Sequence, residues 1–527
     1  MPIDVDDPTE CAVPRRSPAP VLTPGERACR IFEAHQAVGL SLLLAGVFLL
    51  SVWVSHVRPF WFDELFTMML ATQPTLHAMW EGMPADGNPP LMDLLVRGSI
   101  HVLGANTFAA RLPSMLASVA ACAALYLFVR RRTGAVGGLL AVSVVLCQPA
   151  WAYSFESRPY ALMLAFFMIT LLCWQRATMP GPRRLYLAGI AFGIVGIMLS
   201  HYVGLVVVGF PLLLGEAVRF ARRRKPDWPM YATYLTALPM LAITFPMMHR
   251  TRAQLLTLAI HHQPKITVYE ILNWLREAKV TMPAILSLPM LIALAVLIVA
   301  TWRGWYDRNA CEISIPAHEI AAAIGASLLI PVTLFLLMFS SNYYNCRYGI
   351  VCVLGFGILT AFGMARNLPR QRDVTAALIL LMLAGFVLDA KARHNSEAYI
   401  PTLPVVPAAY AGQPVVMTNV FTFYPAWWYG SPQQRRDLHF LFDMQTAVLD
   451  NYAIPEVALM LERGHQTMHL DQFADFVAMH DRFVAYVPPQ GVGSQLASRL
   501  EESGLQLRPI GPPGGNFYEV TRGGVQP

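Results

Sequence analysis

Hydrophobic positions in this chain fall in long unbroken runs, and the polar positions gather between them. A helix needs roughly 17–25 apolar residues to cross about 30 Å of hydrocarbon, and it is the one open backbone arrangement that satisfies its own hydrogen bonds in lipid. About eleven runs reach that length, near 37–56, 111–129, 135–152, 159–175, 184–200, 202–218, 231–248, 282–301, 319–339, 348–365 and 374–390. The pattern predicts a polytopic all-α membrane protein. From about 395 the runs stop, and PVVMTNVFTF and RFVAYV read as strands separated by helix-like stretches such as PEVALMLERG. A small C-terminal α/β domain over 395–527 is expected. Ahead of the first run, residues 1–36 are polar and proline-rich and read as a disordered leader.

Charge placement orients these runs. Alternate short connections carry Arg130, Arg131 and Arg132, then Arg176, Arg183 and Arg184, then Arg219 with Arg222, Arg223, Arg224 and Lys225, then Arg303 and Arg308, then Arg366, Arg370 and Arg372. The positive-inside rule makes that side cytoplasmic, with the amino terminus inside and the C-terminal domain outside. The transmembrane domain is then 37–390, with a first outer loop at 57–110.

Composition agrees: 55% of residues are hydrophobic and 14% charged, against about a quarter charged in an average soluble chain. The net charge of +6 is too small in so apolar a chain to point to nucleic acid. Eight cysteines contain no CxxC pair, so neither a disulfide scaffold nor a zinc-ligand spacing is present in the sequence.

Polar residues with chemical potential collect in the outer connections. RPFWFDELFTMML places Asp63 and Glu64 at the start of a helix-like segment, and GNPPLMDLLVRG follows, its Pro89-Pro90 pair ending one short helix and opening another. SFESRPY brings Glu156 and Arg158, SHY brings His201 and Tyr202, and SSNYYNCRYG brings Tyr343, Tyr344, Arg347 and Tyr348. Singly, each has an ordinary reading as a helix cap, a local ion pair between Glu156 and Arg158, or an interfacial belt. Four separate turns supplying one face make a functional site the better reading.

The WFDEL turn, the PPL loop, AARLPS, ESRPY, the HY turn and RYG together resemble the GT-C membrane glycosyltransferases, in the bacterial branch that includes lipid A aminoarabinose transferase and relatives of protein O-mannosyltransferase. The resemblance covers about 37–390 and is strongest over the first 205 residues. It implies an enzyme that moves a sugar from a polyprenyl-phosphate donor to an acceptor hydroxyl, with inversion, at the outer face of a bacterial cytoplasmic membrane. The acceptor is a lipid, a glycan or a protein.

Carried onto this chain, the resemblance makes Asp63 the general base, with Glu64 either orienting it or binding sugar hydroxyls. Arg158 and Arg347 would hold the donor phosphate, because arginine's planar fork suits phosphate. Glu156 matches a second acidic position and would hold Arg158, the acceptor or a metal. His201, Tyr202, Tyr344 and Tyr348 would line the sugar pocket. A divalent metal, if one is used, has Asp63, Glu156 and His201 as its candidate ligands. Asn88 stands where many relatives carry His, which removes an imidazole from that corner. The rival reading is a transporter or flippase of a lipid-linked or sugar-like substrate. It fits less well, since the charges stand at one membrane edge and no internal repeat is visible.

Overall fold

In a computed structural model, the structure describes residues 22–259, 299, 315–338, 346–365, 372–397, 408–443, 468–489, 494–511 and 516–523. The expected span near 282–301, all but its Val299, the HHQPK and NWLREAK stretches, Tyr343 and Tyr344, and PEVALMLERG lie outside the described residues.

The chain is a multi-pass membrane protein. Among the described residues, six helices are long and apolar enough to cross a membrane, and a bent pair makes a seventh. The first is α2 (Gln36–Val57). The second expected span and the third as far as Leu146 lie within α6 (Thr107–Leu146), which breaks at Gly134, where φ is +80°. Glycine takes that left-handed conformation without the steric cost a Cβ would bring, so the chain turns back just after Arg130, Arg131 and Arg132. There follow α7 (Tyr160–Ala177), the 17-residue α8 (Arg184–Ser200) and α9 (Gly204–Arg223). Two further helices, α10 (Trp228–Tyr234) and α11 (Ala237–Ala259), occupy the seventh run. The pair α12 (Ala317–Ser327) and α13 (Leu329–Met338) bends by 54°. Helices α14 (Cys352–Ala365) and α15 (Arg372–Glu397) close the bundle.

The loop after α2 folds into three short helices, α3 (Phe62–Ala71), α4 (Leu76–Asp86) and α5 (Leu91–Leu103). The expected break at Pro89-Pro90 is present. α4 ends on Gly87 at φ +73°, and Pro90 caps α5.

Part of the leader departs from expectation. Within the stretch read as disordered, Pro24–Ala34 form the helix α1. Thr23 and Glu26 make a reciprocal capping box, with the Thr23 hydroxyl accepting from the Glu26 amide at 3.2 Å and the Thr23 amide donating to the Glu26 carboxylate at 3.1 Å. The helix docks on the start of α15, where the Gly25 amide donates to Asp373 at 2.8 Å. Tertiary docking of a short capped helix outweighs the polar composition around it.

The C-terminal region forms a six-stranded mixed sheet. In chain order its strands are β1 (Val415–Met417), β2 (Leu438–Phe442), β3 (His469–Gln472), β4 (Arg482–Tyr486), β5 (Leu505–Ile510) and β6 (Phe517–Arg522). Their order in the sheet is β3-β2-β1-β4-β6-β5, parallel from β3 to β4 and antiparallel through β6 and β5. The α/β expectation holds, but PVVMTNVFTF is a strand only at its start. Asn419 accepts from the Phe421 amide at 2.9 Å and caps α16 (Val420–Tyr429).

That helix ties the sheet to the membrane bundle. Phe62 of α3 packs against Phe421 and Tyr424 at ring distances of 4.7 and 5.5 Å, and the Phe60 amide donates to the Tyr429 hydroxyl at 2.7 Å. The aromatic FYPAWWYG segment is spent on this contact. One apolar core runs from the bundle through α3 into the sheet.

Candidate active site

Asp63 sits in the first turn of α3, where helix amides favour negative charge. Two buried anchors fix that turn. Arg111, at the start of α6, grips Glu64 with two parallel 2.7 Å hydrogen bonds, and the Ser157 amide donates to the same carboxylate at 2.7 Å. Arg111 also donates to the backbone carbonyls of Ser55, Arg58 and Pro59 at 2.9–3.0 Å. Glu64 and Arg111 are fully buried, so Glu64 has no surface to offer a sugar. Of its two expected roles, only the positioning one remains.

Asp63 is about a quarter exposed. Its carboxylate accepts from Arg347 at 3.1 Å, and Arg158 Nε lies 3.9 Å away. Arg158 donates to the Asp63 backbone carbonyl at 3.1 Å and to Asp86 Oδ1 at 2.8 Å, and the other Asp86 oxygen accepts from Asn88 at 3.0 Å. Arg347 also lies over the Trp61 ring, 5.0 Å from its centre. Three of the four outer turns, the first loop, SFESRPY and CRYG, therefore meet at Asp63.

Glu156 does not pair with Arg158. Glu156 pairs with Arg58 at 3.2 Å, while Arg158 points at Asp63 and Asp86. Burial pushes the Glu156 carboxyl above its ordinary range against the pull of Arg58.

His201 caps α8 and is almost fully buried between Tyr160 and Tyr348, at ring distances of 5.7 and 5.1 Å. Burial, with the charge of Arg158 second, pushes its imidazole down to about 3, so it is neutral at pH 7. Its Nδ1 accepts from the Val203 amide at 3.2 Å, which puts the proton on Nε2. Beside it Tyr202 is half-buried, its phenol pushed up to about 12 by burial. Tyr348 is placed with His201, and Tyr344 lies outside the described residues.

Among the described residues no three His, Cys, Asp or Glu side chains converge as metal ligands would. Asp63 is held by Arg347, Glu156 by Arg58, and His201 Nδ1 by an amide. These three do not form a metal site as they stand.

Arg58, Asp86, Asp93, Arg111 and Tyr160 belong to this site and were not singled out from sequence. Arg111 had a signal, since it opens an otherwise apolar span and charge at membrane depth is costly. Asp86 and Asp93 flank the proline pair, and nothing in their spacing shows that they turn toward Arg158.

The family model described as dolichyl-phosphate-mannose-protein mannosyltransferase matches residues 87–249, which run from just after Asp86 into the middle of α11. No curated protein sequence matches the chain. Among solved structures, the fold is similar to ArnT from Cupriavidus metallidurans in the apo state, with a TM-score of 0.57 at 14% identity over 92% of this chain and 98% of that one. The same protein bound to undecaprenyl phosphate gives a TM-score of 0.56 at 13% identity over the same shares. The resemblance to GT-C membrane glycosyltransferases is borne out by this family match and this fold.

Proposed function

We propose that this chain is a membrane glycosyltransferase that moves a sugar from a polyprenyl-phosphate donor to an acceptor hydroxyl. The observation that carries the reading is Asp63, partly open to solvent and held between Arg347 and Arg158 at the mouth of the bundle. The fold it shares with a protein that binds undecaprenyl phosphate supports the choice of donor. The arginine-rich connections support a site at the outer face of a cytoplasmic membrane, with the C-terminal sheet on that side.

The chemistry follows from what the arginines can exchange. A donor phosphate competes with Asp63 for Arg347 and Arg158, so its arrival supplies the leaving group's counter-charge and frees the carboxylate. The acceptor oxygen then attacks the anomeric carbon, the bond from that carbon to the phosphate oxygen breaks, and Asp63 takes the hydroxyl proton. The arginines stabilise the charge that develops on the departing lipid phosphate, where removal of one such donor costs roughly 10²–10³ in rate. A single displacement inverts the sugar carbon. Neutral His201, with Tyr202 and Tyr348, serves as the sugar-facing wall, and the acceptor is a lipid, a glycan or a protein.

The test is transfer by the purified full-length protein in lipid nanodiscs, given a panel of labelled polyprenyl-phosphate sugars and a membrane extract. Donor-dependent label in an acceptor supports the reading. Uptake of the same donors into sealed vesicles without transfer overturns it in favour of transport.

A further inference from the structure

Asp93, on the face of α5 that packs against α3 and α6, is unlike every other acid among the described residues. Both its carboxyl oxygens are buried without a hydrogen-bond partner, and the residue is 1% exposed. A buried group left in that state calls for an explanation. The charged groups that press on it are Asp86 and Arg158, and the Tyr202 phenol senses both Asp86 and Asp93.

An ionised carboxylate is not kept in such a place without a donor, so Asp93 carries its proton. Burial first and the Asp86 charge second push its carboxyl well above the ordinary range, in agreement. Asp93 therefore presents an O–H with no acceptor. Its neighbour Asp86 is fully used, with Oδ1 on Arg158 at 2.8 Å and Oδ2 on Asn88 at 3.0 Å.

Arg158 is the member of this set that has reason to move. If it turns to the donor phosphate, Asp86 Oδ1 loses its donor in a site where Asp86 is itself almost wholly enclosed. We propose that Asp93 is a reserve hydrogen-bond donor to Asp86, turning its O–H onto the oxygen that Arg158 vacates when a lipid phosphate binds. No covalent bond is made or broken, and the proton stays between the two carboxyls. Asp93 is a positioning residue that lowers the cost of releasing Arg158. The inference rests on the proposed role of Arg158 in holding phosphate.

The test measures undecaprenyl phosphate binding to the full-length protein in nanodiscs for wild type, Asp93→Asn and Asp93→Leu. Leucine fills the space without a donor and is expected to weaken binding about tenfold, the worth of one hydrogen bond to a charged group. Asparagine keeps a donor and is expected to stay within about threefold of wild type. With a transferred sugar, Asp93→Leu raises KM and leaves kcat nearly unchanged. Infrared spectra of the wild type carry the band of a protonated carboxyl, absent in Asp93→Asn, that moves to lower frequency on adding the lipid. Equal loss in both variants, or none in Asp93→Leu while the wild type binds, overturns the inference alone. A wild type that does not bind undecaprenyl phosphate overturns the functional reading with it.

Discussion

Two ion-pair networks in this molecule are built from the same residue types and differ in what they leave open. At the arginine-rich end, Asp227 takes two hydrogen bonds from Arg183 at 2.9–3.0 Å and one from Arg219 at 2.8 Å. Glu216 accepts from Arg219, from the Trp174 indole at 2.6 Å and from the Tyr234 hydroxyl at 3.3 Å. Nearby, Arg132 and Gln175 converge on buried Glu319. These carboxylates are saturated by protein groups. At the other end Asp63 and Arg347 are each about a quarter exposed, and both carboxyl oxygens of Asp93 lie buried outside any hydrogen bond to another residue. A closed network holds helices together, whereas an open one keeps a place for something that arrives. Charge alone distinguishes neither, and both networks would score alike in a census of ion pairs.

Substitutions at the two ends sharpen that contrast. The largest loss of stability is expected from Arg111→Met, which strands the Glu64 carboxylate at the root of α3 and costs roughly 3–5 kcal/mol. Thermal unfolding in detergent reads it, and transfer falls with it because Asp63 rides on the same turn. Arg347→Ala is expected to leave unfolding near wild type and to lower kcat about 10²-fold, with Arg347→Lys intermediate because lysine lacks the fork. At the closed end, Asp227→Asn weakens the hold on Arg183 and Arg219 and is expected to cost about 1–3 kcal/mol. Its turnover per folded molecule stays at wild type, and a drop there comparable to Arg347→Ala would erase the distinction between the two ends.

A further effect, absent at neutral pH, concerns acid. His201 is neutral in the fold, with its value pushed down to about 3 from an ordinary 6.5. The unfolded chain binds that proton first, so the contribution is present above pH 6.5 and is lost as pH falls toward 3. His201→Gln is expected to flatten the wild-type decline over that window in unfolding measured against pH.

Much of this was legible in the sequence because membranes impose a coarse code. Run length gave the helices, arginine runs marked one end, and the order of short motifs placed Asp63, His201 and Arg347 together. Asp63 and Arg347 pair across 284 positions, a contact that periodicity cannot reveal. What stayed hidden depends on side-chain direction. Glu156 and Arg158 take different partners, Arg58 for one and Asp86 for the other, where their closeness in sequence suggested that they pair with each other. Glu64 looks like a twin of Asp63 in the sequence, yet one further step along the helix turns it onto Arg111. The helix α1 was missed because composition spoke louder than its capping box.

The most direct test of the account pairs two readouts on Asp63→Asn. Its side chain no longer competes as an anion for Arg347, so undecaprenyl phosphate is expected to bind at least as tightly as to wild type. Sugar transfer from whichever polyprenyl-phosphate donor the wild type accepts is expected to fall by about 10³. Transfer at the wild-type rate by a folded, lipid-binding Asp63→Asn would contradict the assignment of the base.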